Sequence, residues 1–320
     1  MASAASSNLD RIGIGLAALG RPAYINLGRT GELPAGRTVA ELRAASWAVL
    51  DAGYAAGVRW VDVARSYGLA EEFLAGWLAE RGHRHLSDIT VSSKWGYAYV
   101  GEWRLDAPVH EVKEHSLTRF RSQLAQTREL LGDQLAYYQV HSLTTDSPLF
   151  DDPELLAALA DLAATGVRVG FSTSGPAQAD TVTRALALTV RGRPVFTSVQ
   201  STWNPLEPSV GPALAEAHRS GAHVLVKEPL ANGKLAVRPP KEVVELADRH
   251  GVGPDAVALA VVLAQPWADT VLSGPASVAQ LRSNLAAVDL TLTPADLDSL
   301  AGLAQEPADY WTARSALAWS

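Results

Sequence analysis

The sequence predicts a (β/α)₈ TIM barrel formed by a single domain, and three observations support this fold class. Eight short apolar runs alternate with helix-like stretches along the 320 residues. The runs are apolar on both faces, as in a parallel sheet that helices cover. No linker or low-complexity tract divides the chain. The rival fold is a doubly wound open sheet, but its phosphate loop would be GIGLAALG (residues 13–20), a partial G-x-G-x-x-G match that no helix pattern follows.

The predicted strands follow each other at regular intervals, and each is followed by a helix. In order, the strands are RIGIGLAAL, VRWVD, ITVSSK, LAYYQVH, VRVGFST, FTSVQS, AHVLVK and DTVLSG. The helices are VAELRAASWAVLDAGY, AEEFLAGWLAER, VHEVKEHSLTRFRSQLAQTRELL, DPELLAALADLAAT, PAQADTVTRALAL, VGPALAEAHRS, KEVVELADRHG with PDAVALAVVLAQP, and SVAQLRSNLAAV. Several helices begin at Asp, Ser or Pro, and several end at glycine, which are the usual start and stop signals.

Three loops are longer than a bare barrel needs: residues 20–37, 95–109 and 228–240. Long loops in compact domains are usually functional or disordered, and the aromatic side chains in the first two favour ordered walls. The tail, residues 305–320, contains Tyr310, Trp311 and Trp319, more aromatic surface than an unstructured tail usually carries. We expect the loops and the tail to line a substrate pocket at the C-terminal face of the barrel.

Composition excludes several classes of function. A net charge of −7 and a pI near 5.6 leave no basic footprint for nucleic acid. The absence of cysteine excludes disulfides, thiolate metal sites and cysteine nucleophiles. The start, MASAASSNLD, lacks the features of a signal peptide, and the longest apolar run, AVALAVVLA, is too short to span a bilayer. We therefore expect a cytoplasmic protein without nucleic-acid or membrane partners; the oligomeric state stays open.

Polar side chains stand at the ends of consecutive strands, where barrel enzymes carry their chemistry. Asp62 ends the second strand, and Tyr67 follows five residues later beside a glycine. Lys94 ends the third strand and His141 the fourth. Because these ends share one face of the barrel, we expect the four side chains to lie close together.

This set of residues suits proton transfer to an oxygen atom. A phenol has a pKa near 10, and a lysine ammonium beside it should lower that value. A carboxylate would hold the lysine charged, and a histidine could donate to a carbonyl oxygen. The sequence has no nucleophile elbow and no H-E-x-x-H motif, and we predict no metal site. If the reaction is carbonyl reduction, the hydride must come from a cofactor.

At these residues the sequence resembles the aldo-keto reductase family. VDVARSYG is similar to the family's D-x-A-x-x-Y-G motif, SSK to its lysine motif and VHS to its histidine motif. The likeness continues through GFSTS, VQSTWNPL, PLANGKL and GPASVAQLRSN, and it spans roughly residues 10–290. The resemblance implies a catalytic tetrad of Asp62, Tyr67, Lys94 and His141, with Tyr67 as general acid and base. It further implies NAD(P)H-dependent interconversion of an aldehyde or ketone and the alcohol.

The resemblance also implies how a nicotinamide cofactor would bind across the barrel mouth. Ser172, Thr173 and Gln200 would hold the carboxamide, PLANGKL would cover the pyrophosphate, and GPASVAQLRSN would hold the adenosine. The implied cofactor residues are Gly15, Leu16, Ser172, Thr173, Gln200, Lys227, Glu228, Pro229, Leu230, Asn232, Lys234, Leu235, Gly274, Ser277, Gln280 and Asn284.

The chain departs from the family pattern at three places. Thr173 replaces the usual asparagine, and Lys227 replaces an aromatic residue that would stack on the nicotinamide. Gly274, Pro275 and Gln280 stand where many members carry a cation for the 2′-phosphate of NADPH. NADPH is still the favoured cofactor, with NADH possible.

The substrate is expected to be a small carbonyl compound or alcohol. Trp95, Tyr97, Trp103 and Trp311 are either walls of its pocket or only loop packing. Two other functions stay open: an NAD-dependent sugar or alcohol dehydrogenase that runs in the oxidative direction, and a cofactor-binding regulatory subunit with little turnover.

Overall fold

The structure, a computed structural model, describes residues 7–80 and 88–319. Most of the N-terminal stretch expected to lack a signal peptide, the last residue of the second predicted helix, Arg81, and the final residue of the tail, Ser320, lie outside the described residues. Eight parallel strands close into a barrel, which confirms the predicted (β/α)₈ fold. These strands are β1 (Ile12–Gly15), β2 (Trp60–Asp62), β3 (Thr90–Trp95), β6 (Leu135–Leu143), β7 (Arg168–Thr173), β10 (Ser198–Thr202), β11 (His223–Lys227) and β12 (Thr270–Ser273).

Closure of the barrel depends on the pairing of the first strand with both the second and the last. β1 pairs in parallel with β12 through Ile14 and Ser273, and with β2 through Gly15 and Asp62. The order around the barrel follows the chain order of these eight strands. Because all eight run the same way, their C-terminal ends open onto one mouth, and the predicted polar strand ends meet there.

Most of the helices cover the outside of the barrel. They are α1 (Val39–Ala56), α2 (Ala70–Glu80), α3 (Leu117–Leu131), α4 (Pro153–Ala163), α5 (Gln178–Leu186), α6 (Gly211–Arg219), α7 (Lys234–Val237), α8 (Lys241–His250), α9 (Pro254–Leu263), α10 (Val278–Leu285), α11 (Pro294–Ala301) and α12 (Pro307–Ser315). The longest apolar run forms α9, which packs against α8 and α10 and buries all of residues 256–263. Among the described residues, no helix is long and apolar enough to cross a membrane.

The prediction of one helix from residue 109 to 131 is wrong in its first part. Residues Glu111–Lys113 form a strand, β5, which pairs antiparallel with β4 (Tyr97–Tyr99), and α3 begins only at Leu117. The Ser116 side chain accepts a hydrogen bond from the Arg119 N–H and so caps the helix there. Part of the predicted loop 95–109 is therefore a hairpin. A second hairpin joins β8 (Thr189–Val190) and β9 (Arg193–Pro194).

The other long segments are ordered and lie over the mouth. Arg29 is buried, and its guanidinium donates to the backbone carbonyls of Ala18, Arg21 and Pro22, which fixes the loop 20–37. The loop 228–240 contains the short helix α7. The tail forms α12, whose Tyr310 is buried.

Candidate active site

The barrel mouth contains a buried ion pair between Asp62 of β2 and Lys94 of β3. Asp62 is the register partner of Ser92, and Lys94 points to the same face as Ser92 because side chains alternate along a strand. Lys94 Nζ donates to Asp62 Oδ2 and to the Val63 carbonyl at 3.1 Å. Ser92 Oγ donates to the other Asp62 oxygen at 2.7 Å. Lys94 has no exposed surface, so these contacts determine its position.

Tyr67 lies directly above this ion pair. Lys94 Nζ is 4.8 Å from the centroid of the Tyr67 ring, and only 9% of the tyrosine is exposed. The position after Tyr67 requires a glycine for a steric reason. Gly68 has a φ of +60°, and a Cβ there would come within 2.4 Å of the Gly20 carbonyl oxygen. The loop after β2 is therefore pressed against the loop after β1, which holds Tyr67 over the mouth.

His141 is presented by an irregularity in β6. The register between β6 and β7 shifts between Val140 and Leu143, and Ser142 has a φ of +51°. The His141 ring meets the Tyr67 ring edge to face with 5.4 Å between centroids. Its Nδ1 lies 3.2 Å from Ser66 Oγ. The bulge thus places the imidazole against the phenol.

Burial sets the protonation of both rings. It raises the pKa of the Tyr67 phenol well above its ordinary value, and the Asp62 carboxylate raises it further. The expectation of a lowered pKa for this phenol is therefore wrong, because desolvation, the largest cause, raises it. Burial also lowers the pKa of His141 well below its usual range, and the cation of Lys94 acts in the same direction. At neutral pH, the Tyr67 phenol is therefore protonated and the His141 imidazole is neutral.

Comparison with known proteins gives the family. The family model named Aldo/keto reductase family matches residues 11–305, nearly the whole chain. The chain belongs to the aldo/keto reductase family. The members of this family are oxidoreductases that use nicotinamide cofactors on small carbonyl compounds.

Individual relatives are distant from this aldo-keto reductase. Aldo-keto reductase str7 from Strobilurus tenacellus is 25% identical over 293 residues, which cover 81% of this chain and 80% of the relative. A crystal structure named as a candidate 2,5-diketo-D-gluconic acid reductase B has a TM-score of 0.64 at 22% identity and covers 92% of this chain and 88% of its own. A candidate aldo-keto reductase from Pseudomonas aeruginosa has a TM-score of 0.61 at 22% identity, with 87% and 89% covered. The two structures support the fold.

A cavity of about 360 Å³ runs across the mouth of this aldo-keto reductase. Of the expected catalytic residues, Asp62, Tyr67 and His141 line it, while Lys94 lies beneath Tyr67. The expected cofactor residues that line the cavity are Gly15, Gln200, Lys227, Glu228, Pro229, Leu230, Asn232, Gly274, Gln280 and Asn284. The cavity therefore connects the tyrosine to the start of α10, as an extended dinucleotide would require. Buried Asn232 Oδ1 has no hydrogen-bond donor among the described residues, so a ligand there could supply one.

The remaining expected cofactor residues are not among the described residues that line the cavity. They are Leu16, Ser172, Thr173, Lys234, Leu235 and Ser277. Ser172 Oγ accepts the Ser142 N–H at 2.8 Å, so it supports the bulge beside His141. Thr173 Oγ1 bonds Ser201 Oγ at 2.7 Å. Both hydroxyls are thus engaged within the barrel wall.

Among the four expected pocket aromatics, Tyr97 lines the cavity, with its ring 5.0 Å from that of His141. Trp95, Trp103 and Trp311 are not among the described lining residues. Trp95 packs on Phe120, and Trp103 donates to the Arg37 carbonyl at 2.9 Å. The tail contributes Arg314 and Trp319 to the lining instead.

Sequence reasoning missed several residues of the site. Arg21, Tyr24 and Glu111 line the cavity, and Ser66 contacts His141. Arg21, Tyr24 and Ser66 come from loops, where no periodic pattern indicates which side chain points inward, and Glu111 begins β5, a strand that the sequence did not predict. Only Ser66 had a usable signal, since it directly precedes Tyr67. The described residues contain no group of three or more His, Asp or Glu side chains arranged to hold a metal ion.

Proposed function

We propose that this protein is a nicotinamide-dependent oxidoreductase that interconverts an aldehyde or ketone and the corresponding alcohol, with Tyr67 as the general acid and base. The observation that carries the proposal is the buried Tyr67 ring, stacked over the Lys94–Asp62 ion pair and against His141 at the wall of the cavity. Such an arrangement keeps a proton donor at a fixed place where a carbonyl oxygen can lie.

In the reductive direction, the bound nicotinamide would supply the hydride to the carbonyl carbon. Tyr67 donates its phenolic proton to the oxygen that becomes an alkoxide. In the tautomer that we propose, His141 Nδ1 accepts from Ser66 Oγ, 3.2 Å away, and the Nε2–H holds the substrate oxygen. The Asp62–Lys94 ion pair keeps the ammonium 4.8 Å from the centroid of the Tyr67 ring and so helps to fix the place of the phenol.

For the cofactor we propose NADH rather than the NADPH expected from the sequence. The cations that line the cavity, Arg21, Lys227 and Arg314, all lie at its Tyr67 end. Near the start of α10 lie two carboxylates. Ser277 Oγ donates to Glu32 at 2.6 Å, and Asp255 lines the cavity. Carboxylates accept hydrogen bonds from a ribose 2′-hydroxyl but repel a 2′-phosphate.

The two carboxylates near the start of α10 also favour a second candidate, NAD-linked oxidation of an alcohol at the same site. Tyr67 must then lose its proton first, and its raised pKa makes this direction strongly alkaline-dependent. The two candidates differ only in the direction of the reaction, since both interconvert an aldehyde or ketone and the alcohol with the same nicotinamide cofactor. The cytoplasmic location, the role of the tail as a wall of the substrate pocket and the small-molecule partner stay predictions.

The test combines binding and turnover of the wild type and Tyr67→Phe. The nine tryptophans report binding, so each protein is titrated with NADH and with NADPH. We expect NADH to bind about tenfold or more tightly than NADPH, and equally well in both proteins. Reduction of 4-formylbenzoate and its methyl ester should fall at least a thousandfold in Tyr67→Phe.

Tyr54→Phe is the matched control, since it removes a phenolic oxygen on α1, outside the barrel mouth. It should keep wild-type turnover. Equal turnover by Tyr67→Phe would refute the role of Tyr67. Saturable cofactor binding without turnover of any aldehyde or alcohol would support the regulatory alternative instead. Tighter binding of NADPH would overturn only the choice of cofactor.

A further inference from the structure

Arg21 is a buried cation beside the proposed proton donor, in the loop after β1. Only 1% of the residue is exposed. Its guanidinium carbon lies 5.2 Å from the Tyr67 ring centroid, 4.9 Å from that of Tyr24 and 4.8 Å from that of Trp319. Three aromatic rings therefore hold the planar group in one orientation, and it lines the same cavity as Tyr67.

The guanidinium uses only part of its hydrogen-bonding capacity within the protein. Nη1 donates to the Ser66 carbonyl at 2.9 Å and to Glu111 Oε1 at 2.6 Å. Nε is buried and has no acceptor among the described residues, and none of them accepts from Nη2. Leaving a buried donor without an acceptor costs about 1–3 kcal/mol. The Nε–H and Nη2–H bonds point the same way, which is the edge that binds a carboxylate with two parallel hydrogen bonds.

At the Tyr67 end of the cavity, the charged side chains carry one positive charge that no carboxylate of the protein balances. Lys94 is paired with Asp62, Arg21 with Glu111, and Arg314 with Glu228. Lys227 also contacts Glu228, at 3.5 Å, but that carboxylate already pairs with Arg314. Lys227 Nζ donates to Thr202 Oγ1, a neutral hydroxyl, at 2.6 Å. The four cations thus exceed the three carboxylates by one positive charge.

We propose that the substrate carries a carboxylate, which the Nε–Nη2 edge of Arg21 binds while the carbonyl group lies between Tyr67 and His141. The substrate class is then an aldehydo or keto acid, or the hydroxy acid in the reverse direction. This inference rests on the proposed function. The carboxylate is unchanged in the reaction: hydride from the reduced nicotinamide adds to the carbonyl carbon, and the Tyr67 proton goes to the oxygen.

The test compares two aldehydes that differ only in charge, 4-formylbenzoate and methyl 4-formylbenzoate, in the wild type and Arg21→Gln. We expect the wild type to have at least a tenfold higher kcat/KM for the acid. In Arg21→Gln that advantage should shrink to within threefold, because the loss of activity on the acid exceeds the loss on the ester. Arg21→Lys, which keeps the charge but lacks the two-donor edge, should fall between them. Arg191→Gln, at an exposed side chain that does not line the cavity, is the control and should keep the wild-type ratio.

Because Arg21 is buried, a second variant keeps the test independent of folding. Glu111→Gln retains Arg21 and removes its anionic partner, so it should lower KM for the acid several-fold more than KM for the ester. Tryptophan fluorescence can detect binding of 4-(hydroxymethyl)benzoate and of its methyl ester, which tests the preference for the acid without turnover. Equal binding and equal rates for acid and ester in the wild type would overturn the inference, as would an equal loss of both in Arg21→Gln. Preferential binding of the acid, together with no turnover of any aldehyde or alcohol, would refute the proposed function and leave the carboxylate site standing.

Discussion

At the scale of single residues, the orientation of His141 depends on contacts outside the four motif residues. The His141 carbonyl accepts a hydrogen bond from His115 Nε2 at 2.9 Å. Since a carbonyl only accepts, His115 Nδ1 must carry the lone pair, and it accepts from Ser147 Oγ at 2.8 Å. Ser66 then fixes the other end of His141, at its ring. The imidazole is therefore held at both its backbone and its side chain.

In the proposed tautomer Ser66 Oγ is the donor to His141 Nδ1, so Ser66→Ala leaves the ring free to adopt the other tautomer. We expect kcat to fall about tenfold while the dissociation constant of NADH stays unchanged, with a loss of stability of about 1 kcal/mol. Steady-state kinetics and fluorescence titration measure these quantities. Ser66→Thr, which keeps the hydroxyl, should restore most of kcat. Ser46→Ala, which removes a buried serine hydroxyl of α1, is the control; an equal fall in its kcat would rule out a specific role for Ser66.

At the scale of elements, an ion pair with Glu228 holds α12 at the barrel mouth. Arg314 donates to both Glu228 oxygens, and the side chains are 19% and 9% exposed. Asn204 joins the two segments as well, since its Nδ2 donates to the Glu228 carbonyl at 3.0 Å and to the Tyr310 hydroxyl at 3.1 Å. The tail is thus tied to the loop that follows β11.

Arg314→Met leaves the buried Glu228 carboxylate with a weaker set of partners. We expect a loss of about 3 kcal/mol in the free energy of unfolding, because breaking one side of a buried ion pair costs more than the pair contributes. The double variant Arg314→Met with Glu228→Gln should be less destabilised than the single one. Urea denaturation of the wild type, the single variant and the double variant measures these free energies of unfolding. A loss below 1 kcal/mol in Arg314→Met would show that the tail does not depend on this pair.

Elements were predictable from the sequence wherever a local signal decided them. Apolar runs and glycine stops indicated the eight strands and most helices, because burial on both faces leaves a pattern in the chain. The failure at Glu111–Lys113 has a tertiary cause. That segment becomes a strand only because Tyr97–Tyr99 lies beside it, and no local pattern reports a partner twelve or more residues away.

At the scale of the whole molecule, the strand-end part of the site could be predicted from the sequence, and the part built by the loops and the tail could not. The polar strand ends Asp62, Lys94 and His141 converge because parallel strands in a barrel end on one face, so their meeting was predictable. Arg21 and Trp319 meet across almost the entire chain, with 4.8 Å between guanidinium carbon and ring centroid. Loop and tail conformations decide that contact, and strand periodicity carries no information about them.

The buried titratable groups also predict how the whole barrel responds to acid. Burial lowers the pKa of His115 to about 4, below its unfolded value of about 6.5. The folded state therefore binds this proton less readily than the unfolded chain. The resulting stability is complete above pH 6.5 and is lost as the pH falls towards 4, by about 3 kcal/mol. The Arg314 guanidinium is the main group that lowers the pKa of Glu228, to about 2, so a second loss follows between pH 4.5 and 2.

Urea denaturation at pH 7, 5.5 and 4 should therefore show the free energy of unfolding falling before most carboxylates titrate. His115→Gln is the informative variant, since its amide can still donate to the His141 carbonyl but does not titrate. It should be less stable than the wild type at pH 7 and lose less stability between pH 7 and 4. His250→Gln, on the exposed end of α8, should follow the wild-type curve. Parallel curves for wild type and His115→Gln would assign the acid response to other groups, of which His141 is the foremost because its pKa is also lowered by burial.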